Sequence, residues 1–173
     1  MLWRSNMIII SSRENFVDAD HLAIKNEVRD IDLVSNQSLN NNIDLNKALL
    51  GKKVLILVHG YNNKQDEIYN AYKTIEDNVL KHSGSEYDQI VGYCWPGCDK
   101  GSEWWEAKSN VGGAAVLFFD LLKSLSDVCS VIDVMSHSLG AAVTLKALLK
   151  SILLFKDWFD TKSISLTSFL IAR

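Results

Sequence analysis

Apolar residues fall along this chain in two alternating patterns, short β-branched runs and longer stretches at helical spacing. Met7 to Ser11 reads as a first strand, followed by a turn over Ser12-Arg13-Glu14-Asn15. From Asp18 to Asn46 the pattern is poor. Acidic and apolar residues alternate around Val28 to Val34, and the polar run Ser35-Asn36-Gln37-Ser38-Leu39-Asn40-Asn41-Asn42 then reads as a surface loop. Val54-Leu55-Ile56-Leu57-Val58 is a continuous apolar run, suited to a strand buried on both faces of a parallel sheet. Ile68, Tyr72, Ile75 and Val79 follow at helical spacing, with Asp66 and Glu67 in the first turn, where carboxylates complement the helix dipole.

The cycle repeats twice. Ile90 to Trp95 predicts a strand, Pro96 to Gly101 breaks it, and Val111 to Leu125 predicts a helix with Phe118, Leu121, Leu122 and Leu125 on one side. Val131, Ile132, Val134 and Met135 predict another strand despite Asp133, Leu139 to Phe155 a helix, and Ile164 to Ile171 a closing strand. Strands alternating with helices point to an α/β fold: a three-layer sandwich with a mostly parallel sheet covered on both faces. No repeat or internal boundary divides residues 1–173, so a single domain is expected.

Composition narrows the partners. A chain of 173 residues that is 47% hydrophobic is long enough for a sizeable core. A net charge of −3, from 18 basic and 21 acidic residues, leaves no footprint for nucleic acid or anionic lipid. Cys94, Cys98 and Cys129 are odd in number and read as reduced thiols. Cys94 and Cys98 resemble half of a zinc site, but no second pair completes it, so no metal is expected. Met7 to Ile10 is too short for a signal segment and no stretch has the length of a membrane span, so the default expectation is a cytoplasmic protein.

The candidate chemistry lies at Ser136-His137-Ser138-Leu139-Gly140, between a predicted strand and a predicted helix. A tight strand-to-helix turn lifts one serine hydroxyl above the sheet edge and aims a helix N-terminus at the same spot, the arrangement of a nucleophile elbow. Ser138 is the candidate nucleophile. Both flanks must be small, because the turn forces unusual backbone angles; Gly140 meets this, and Ser136 stands where the G-x-S-x-G pattern has its first glycine.

With His59-Gly60-Tyr61-Asn62-Asn63 after one buried strand, Trp95-Pro96 after the next and the Ser138 turn after the third, the chain resembles the α/β-hydrolase fold. In particular it is similar to a bacterial group of poorly characterised α/β hydrolases with HGYN-type, WP and GHSMG-like segments in this order. The resemblance covers roughly residues 50 to 150. It implies Ser138 as catalytic nucleophile and the backbone N–H groups of Tyr61 and Leu139 as oxyanion donors, each worth about 3 kcal/mol in the transition state. His59, Gly60, Ser136, His137 and Gly140 would support the elbow and its facing loop. The substrate implied is a small-molecule or lipid carboxylic ester, thioester or acyl chain, and no cofactor is required.

One departure from the family matters. The triad of this fold runs Ser, then Asp or Glu, then His, yet no histidine occurs between Leu139 and Arg173. Asp157 and Asp160 follow the helix that leaves the elbow, roughly 24 Å away at its far end. Asp133 lies about 16 Å down its strand and fits a structural position better. His59 is expected to support its own loop, His137 to point away from Ser138, and His21 and His82 to be solvated. The chain is therefore expected to be a truncated form of the fold, incomplete at its C-terminus, with the acid and histidine beyond Arg173. The alternative is a non-catalytic short form that keeps a binding or scaffolding role. A histidine supplied by an oligomeric partner is chemically allowed but has no support in the residues. Tyr93, Trp95, Trp104 and Trp105 could line an acyl pocket, although aromatics beside strands more often pack in a core or rim.

Overall fold

A computed structural model describes residues 6–82, 86–154 and 168–171. Seven strands form one sheet: β1 (Asn6–Arg13), β2 (Leu22–Asp32), β3 (Gln37–Asn40), β4 (Lys53–Val58), β5 (Gln89–Cys94), β6 (Val131–His137) and β7 (Ser168–Ile171). Their spatial order is β3-β2-β1-β5-β4-β6-β7. The five strands from β1 to β7 in that order run parallel, and β2 and β3 extend the sheet as antiparallel neighbours. The expected mostly parallel α/β sheet is thus present.

Side-chain alternation explains why β4 needs an unbroken apolar run. Val54, Ile56 and Val58 point into a core formed with α3 (Trp104–Ser126) and α4 (Leu139–Leu154), together with Leu49 of the short α1 (Leu45–Leu49). Leu55 and Leu57 point the other way, against Ile68, Tyr69 and Tyr72 of α2 (Gln65–His82). A strand covered on both faces has no position left for a polar residue. The three layers follow directly.

The register brings the loops together. Val58 of β4 pairs with Tyr93 of β5 and Ser136 of β6, and Ser11 of β1 pairs with Cys94. Parallel strands in this register release their following loops at a common C-terminal edge, where ligands of open α/β sheets bind. The His59, Trp95 and Ser138 segments therefore meet there.

Three expectations need correction. The poorly patterned stretch after Asp18 contains β2, and the polar run expected as a loop contains β3. β2 is mostly half-buried, with Ile31 in the core and Leu22 and Val28 packed against it, so its apolar pattern is only partial; all four residues of β3 are exposed, so backbone pairing holds that strand and no hydrophobic signal marks it. The turn expected over 12–15 begins later, because Ser12 and Arg13 continue β1 and are fully buried. Helix α3 starts at Trp104, not Val111. Gly112 and Gly113 weaken its helical signal, and Gly113 packs closely on β2, where a Cβ would come within 2.4 Å of Leu22 Cδ2 at the movable end of that side chain. Phe155, Asp157, Asp160 and the start of the strand expected from Ile164 lie outside the described residues.

Candidate active site

Ser138 sits between the last residue of β6 and the first of α4, with φ of +52°. This is left-handed backbone, which a residue with a Cβ adopts only when its surroundings enforce it. The enforcement comes from close packing. A Cβ on Gly140 would stand 2.1 Å from the His59 carbonyl oxygen, and one on Gly60 would stand 3.1 Å from Ser138 Cβ. The two loops are therefore in contact through their glycines. Ser138 and His137 are exposed, and Leu139, half-buried, opens α4. The N–H groups of that first turn have no acceptor within the helix.

Ser136 replaces a glycine without disturbing the turn. Its side chain is buried and its Oγ lies 2.7 Å from Thr144 Oγ1, while the Thr144 hydroxyl donates to the Gly140 carbonyl at 3.1 Å. One hydroxyl chain thus runs from β6 to the first turn of α4. Sequence reasoning missed Thr144, although its place four residues after Gly140 is the spacing at which a threonine bonds back along a helix.

His59 is buried with both backbone groups and both ring nitrogens engaged. Its N–H donates to Tyr72 Oη at 3.0 Å, and the Tyr72 hydroxyl donates to the Tyr93 carbonyl at 2.6 Å. Its carbonyl accepts from the Trp95 indole N–H at 2.8 Å, and Nε2 accepts from the Trp95 backbone N–H at 3.1 Å. Nδ1 therefore carries the proton and donates to the Gly60 carbonyl at 2.7 Å. Burial holds its pKa well below the ordinary histidine value, and the nearby Arg13 charge pushes it in the same direction. The imidazole is a neutral bracket for the loop with no free nitrogen to accept a further proton. Its stacking on Trp95, with ring centroids 5.7 Å apart, completes that bracket.

The loop after β5 is tied to the same edge. Asn62 N–H donates to the Gly97 carbonyl at 3.1 Å and Asn63 N–H to the Cys98 carbonyl at 3.3 Å. Tyr61 extends outward, its hydroxyl donating to the Lys100 carbonyl at 3.0 Å and its ring meeting Trp104 edge-on at 5.1 Å. Trp95 and Tyr93 are wholly buried and belong to the core. Trp104 is 40% exposed and Trp105 72%, so of the four aromatics only these two face solvent.

Among the described residues His21 is exposed and pairs with Asp18, and His82 lies exposed in the last turn of α2. The His137 Nδ1 would stand 2.7 Å from a Cβ on Gly60, so its ring lies against the facing loop. Asp133 is buried and accepts from the Tyr87 hydroxyl at 2.9 Å, as a structural residue would. Cys94, Cys98 and Cys129 are free thiols. Asp20, Cys98 and Glu103 offer ligand-type atoms within 4.8 Å of one another. Glu103 pairs with Lys100 through Oε1, Asp20 Oδ1 and Glu103 Oε2 are buried without a hydrogen-bond partner, and burial raises the Cys98 thiol to about 12. Among the described residues no helix is long and apolar enough to cross a membrane.

These loops, in this order on a mostly parallel sheet, are the framework of an α/β hydrolase. A family model described as an alpha/beta hydrolase of unknown function, DUF900, matches residues 35–157, and the chain belongs to that family. No curated protein and no solved structure matches it.

Proposed function

We propose that this chain carries the nucleophile and oxyanion elements of a serine hydrolase acting on a small-molecule or lipid carboxylic ester, thioester or acyl bond. The observation that carries this reading is the left-handed, exposed Ser138, held against Gly60 at the C-terminal edge of the sheet. Ser138 Oγ attacks the carbonyl carbon, and the Leu139 and Tyr61 N–H groups receive the charge that develops on the carbonyl oxygen. His59 and Gly60 hold the Tyr61 loop. Ser136, through Thr144, and Gly140 hold the elbow, and His137 lies over Gly60 between the two. Trp104, edge-on to Tyr61, offers an apolar surface beside the site.

Activation of Ser138 requires a general base, and His59 has no nitrogen free for that role. This observation favours a second reading, in which the fold is kept as a non-catalytic binding or scaffolding protein. A fluorophosphonate probe separates the two when applied to the protein as it occurs in its source, together with whatever follows Arg173, where the hydrolase reading expects the acid and histidine. The hydrolase reading expects covalent labelling that disappears in Ser138→Ala. Equal, absent labelling in both proteins would favour the binding role.

A further inference from the structure

Cys98 lies in the loop after β5 and is wholly buried. Along the chain its one plausible fellow ligand is Cys94, which packs in the core. The fold supplies different ones. Cys98 Sγ, one carboxylate oxygen of Asp20 and one of Glu103 lie within 4.8 Å of one another. They come from three segments: the connection between β1 and β2, the loop after β5 and the residue that precedes α3.

The backbone around them is already held. Cys98 N–H donates to the Ala19 carbonyl at 2.8 Å, and Glu103 N–H to the Lys100 carbonyl at 3.0 Å. Asn110 Nδ2, from α3, donates to the Asp20 carbonyl at 2.8 Å and to the Pro96 carbonyl at 3.0 Å. What is missing is a donor for the side chains. Asp20 Oδ1 and Glu103 Oε2 are buried with no hydrogen-bond partner. The exposed Lys100 reaches Glu103 at Oε1, 3.0 Å away, and leaves Oε2 unpaired. Buried carboxylate oxygens without a donor oppose folding, and a cation between them removes that cost. The group formed by Glu14, Asp18 and His21 lacks this feature: it is mostly exposed, and Asp18 already accepts from the His21 ring and from two backbone N–H groups.

We infer that Asp20, Cys98 and Glu103 form a structural site for one divalent transition-metal ion, fitted best by zinc, which ties the β1–β2 connection and the start of α3 to the loop after β5. One thiolate with two carboxylates is a mixed donor set that zinc accepts, whereas magnesium and calcium select oxygen alone. Donor atoms up to 4.8 Å apart reach tetrahedral spacing around zinc by closing roughly 1 Å. Binding replaces the thiol proton, which leaves to solvent as the metal–sulfur bond forms, and three protein ligands leave a fourth position to water. The same loop receives hydrogen bonds from Tyr61, Asn62 and Asn63 at its Lys100, Gly97 and Cys98 carbonyls, so the ion steadies the segment facing the elbow. The site does not depend on the hydrolase reading.

The test is a titration of the chelator-treated full chain with Co²⁺, read by the thiolate-to-cobalt charge-transfer absorption that oxygen and nitrogen ligands do not produce, followed by displacement with Zn²⁺. One equivalent of either ion is expected to bind. Zinc at about a hundredfold excess over its Kd is expected to raise the thermal unfolding midpoint by on the order of 5 °C. Cys98→Ser is expected to abolish the absorption and Cys129→Ser to leave it unchanged, while Asp20→Asn and Glu103→Gln each weaken binding by at least about tenfold. A wild-type protein without the absorption, or an absorption that survives Cys98→Ser, would overturn the inference. Should Cys98→Ser not fold, the two carboxylate variants carry the test. Wild-type affinity in both then overturns the site, and a tenfold or greater loss in each supports it.

Discussion

At the C-terminal edge of β1, β4, β5 and β6, Arg13, His59 and Ser136 are buried and make hydrogen bonds to specific partners. Along β3, every residue from Gln37 to Asn40 is exposed, and the strand is joined to β2 through an irregular register. Both regions are rich in polar side chains. In the first, changing a side chain leaves a buried atom unpaired or drives one loop into another. In the second, water replaces whatever is lost. The contrast locates where this protein tolerates change.

The hardest test of that contrast is Gly140→Ala. Its Cβ would meet the His59 backbone oxygen, which is not at the end of a flexible side chain and cannot swing away. We expect a loss of at least about 3 kcal/mol in urea unfolding, or no folded protein. A variant of wild-type stability would mean that the two loops are less tightly joined than the structure describes.

The next effect comes from pH. Because folding depresses the pKa of His59, the unfolded chain binds a proton where the folded chain does not. Its contribution is fully present above the ordinary value of 6.5 and is lost as pH falls below it, by up to about 1.4 kcal/mol per pH unit. Urea unfolding at pH 7.5 and 5.5 measures this slope. His59→Gln should flatten it while lowering stability at pH 7.5, and a slope identical to wild type would assign the pH dependence to other groups.

A smaller effect is expected within the elbow. Ser136→Ala removes one partner of Thr144 but leaves the Thr144 bond to Gly140, so thermal unfolding should register about 1 kcal/mol. Ser136→Gly, which restores the usual pattern, should not be more stable than wild type, since the hydroxyl chain is lost with it. At the bottom of the scale, Leu39→Thr on exposed β3 should change stability by less than about 0.5 kcal/mol. A large loss there would show that the hairpin is packed against something.

The parallel core was legible because burial on both faces leaves a continuous apolar run, as in β4, and helices such as α2 repeat their apolar residues every three or four positions. The elbow was legible for a different reason. Ser138 and Gly140 lie within one local turn, so a few neighbouring residues carry its geometry. β3 was not legible, since exposed backbone pairing imposes almost no pattern on side chains, and β2, mostly half-buried, left only a partial alternation around Val28 to Val34. The early start of α3 was hidden because residues 104–110 are mostly exposed and carry no apolar stripe.

The sequence by itself determined the order of the parallel strands and the helices between them, the Ser138 turn and the meeting of three loops at one edge, because those follow from local periodicity and chain direction. Only the tertiary structure decided that His59 is a neutral bracket and that Ser136 is completed by Thr144. It alone also decided that Arg13 is buried against Trp95. Arg13 and Trp95 are 82 positions apart, and His59 and Trp95 are 36. Hydrogen bonds across such separations leave no periodic trace, and their existence depends on the parallel register that brings β1, β4 and β5 to a common end.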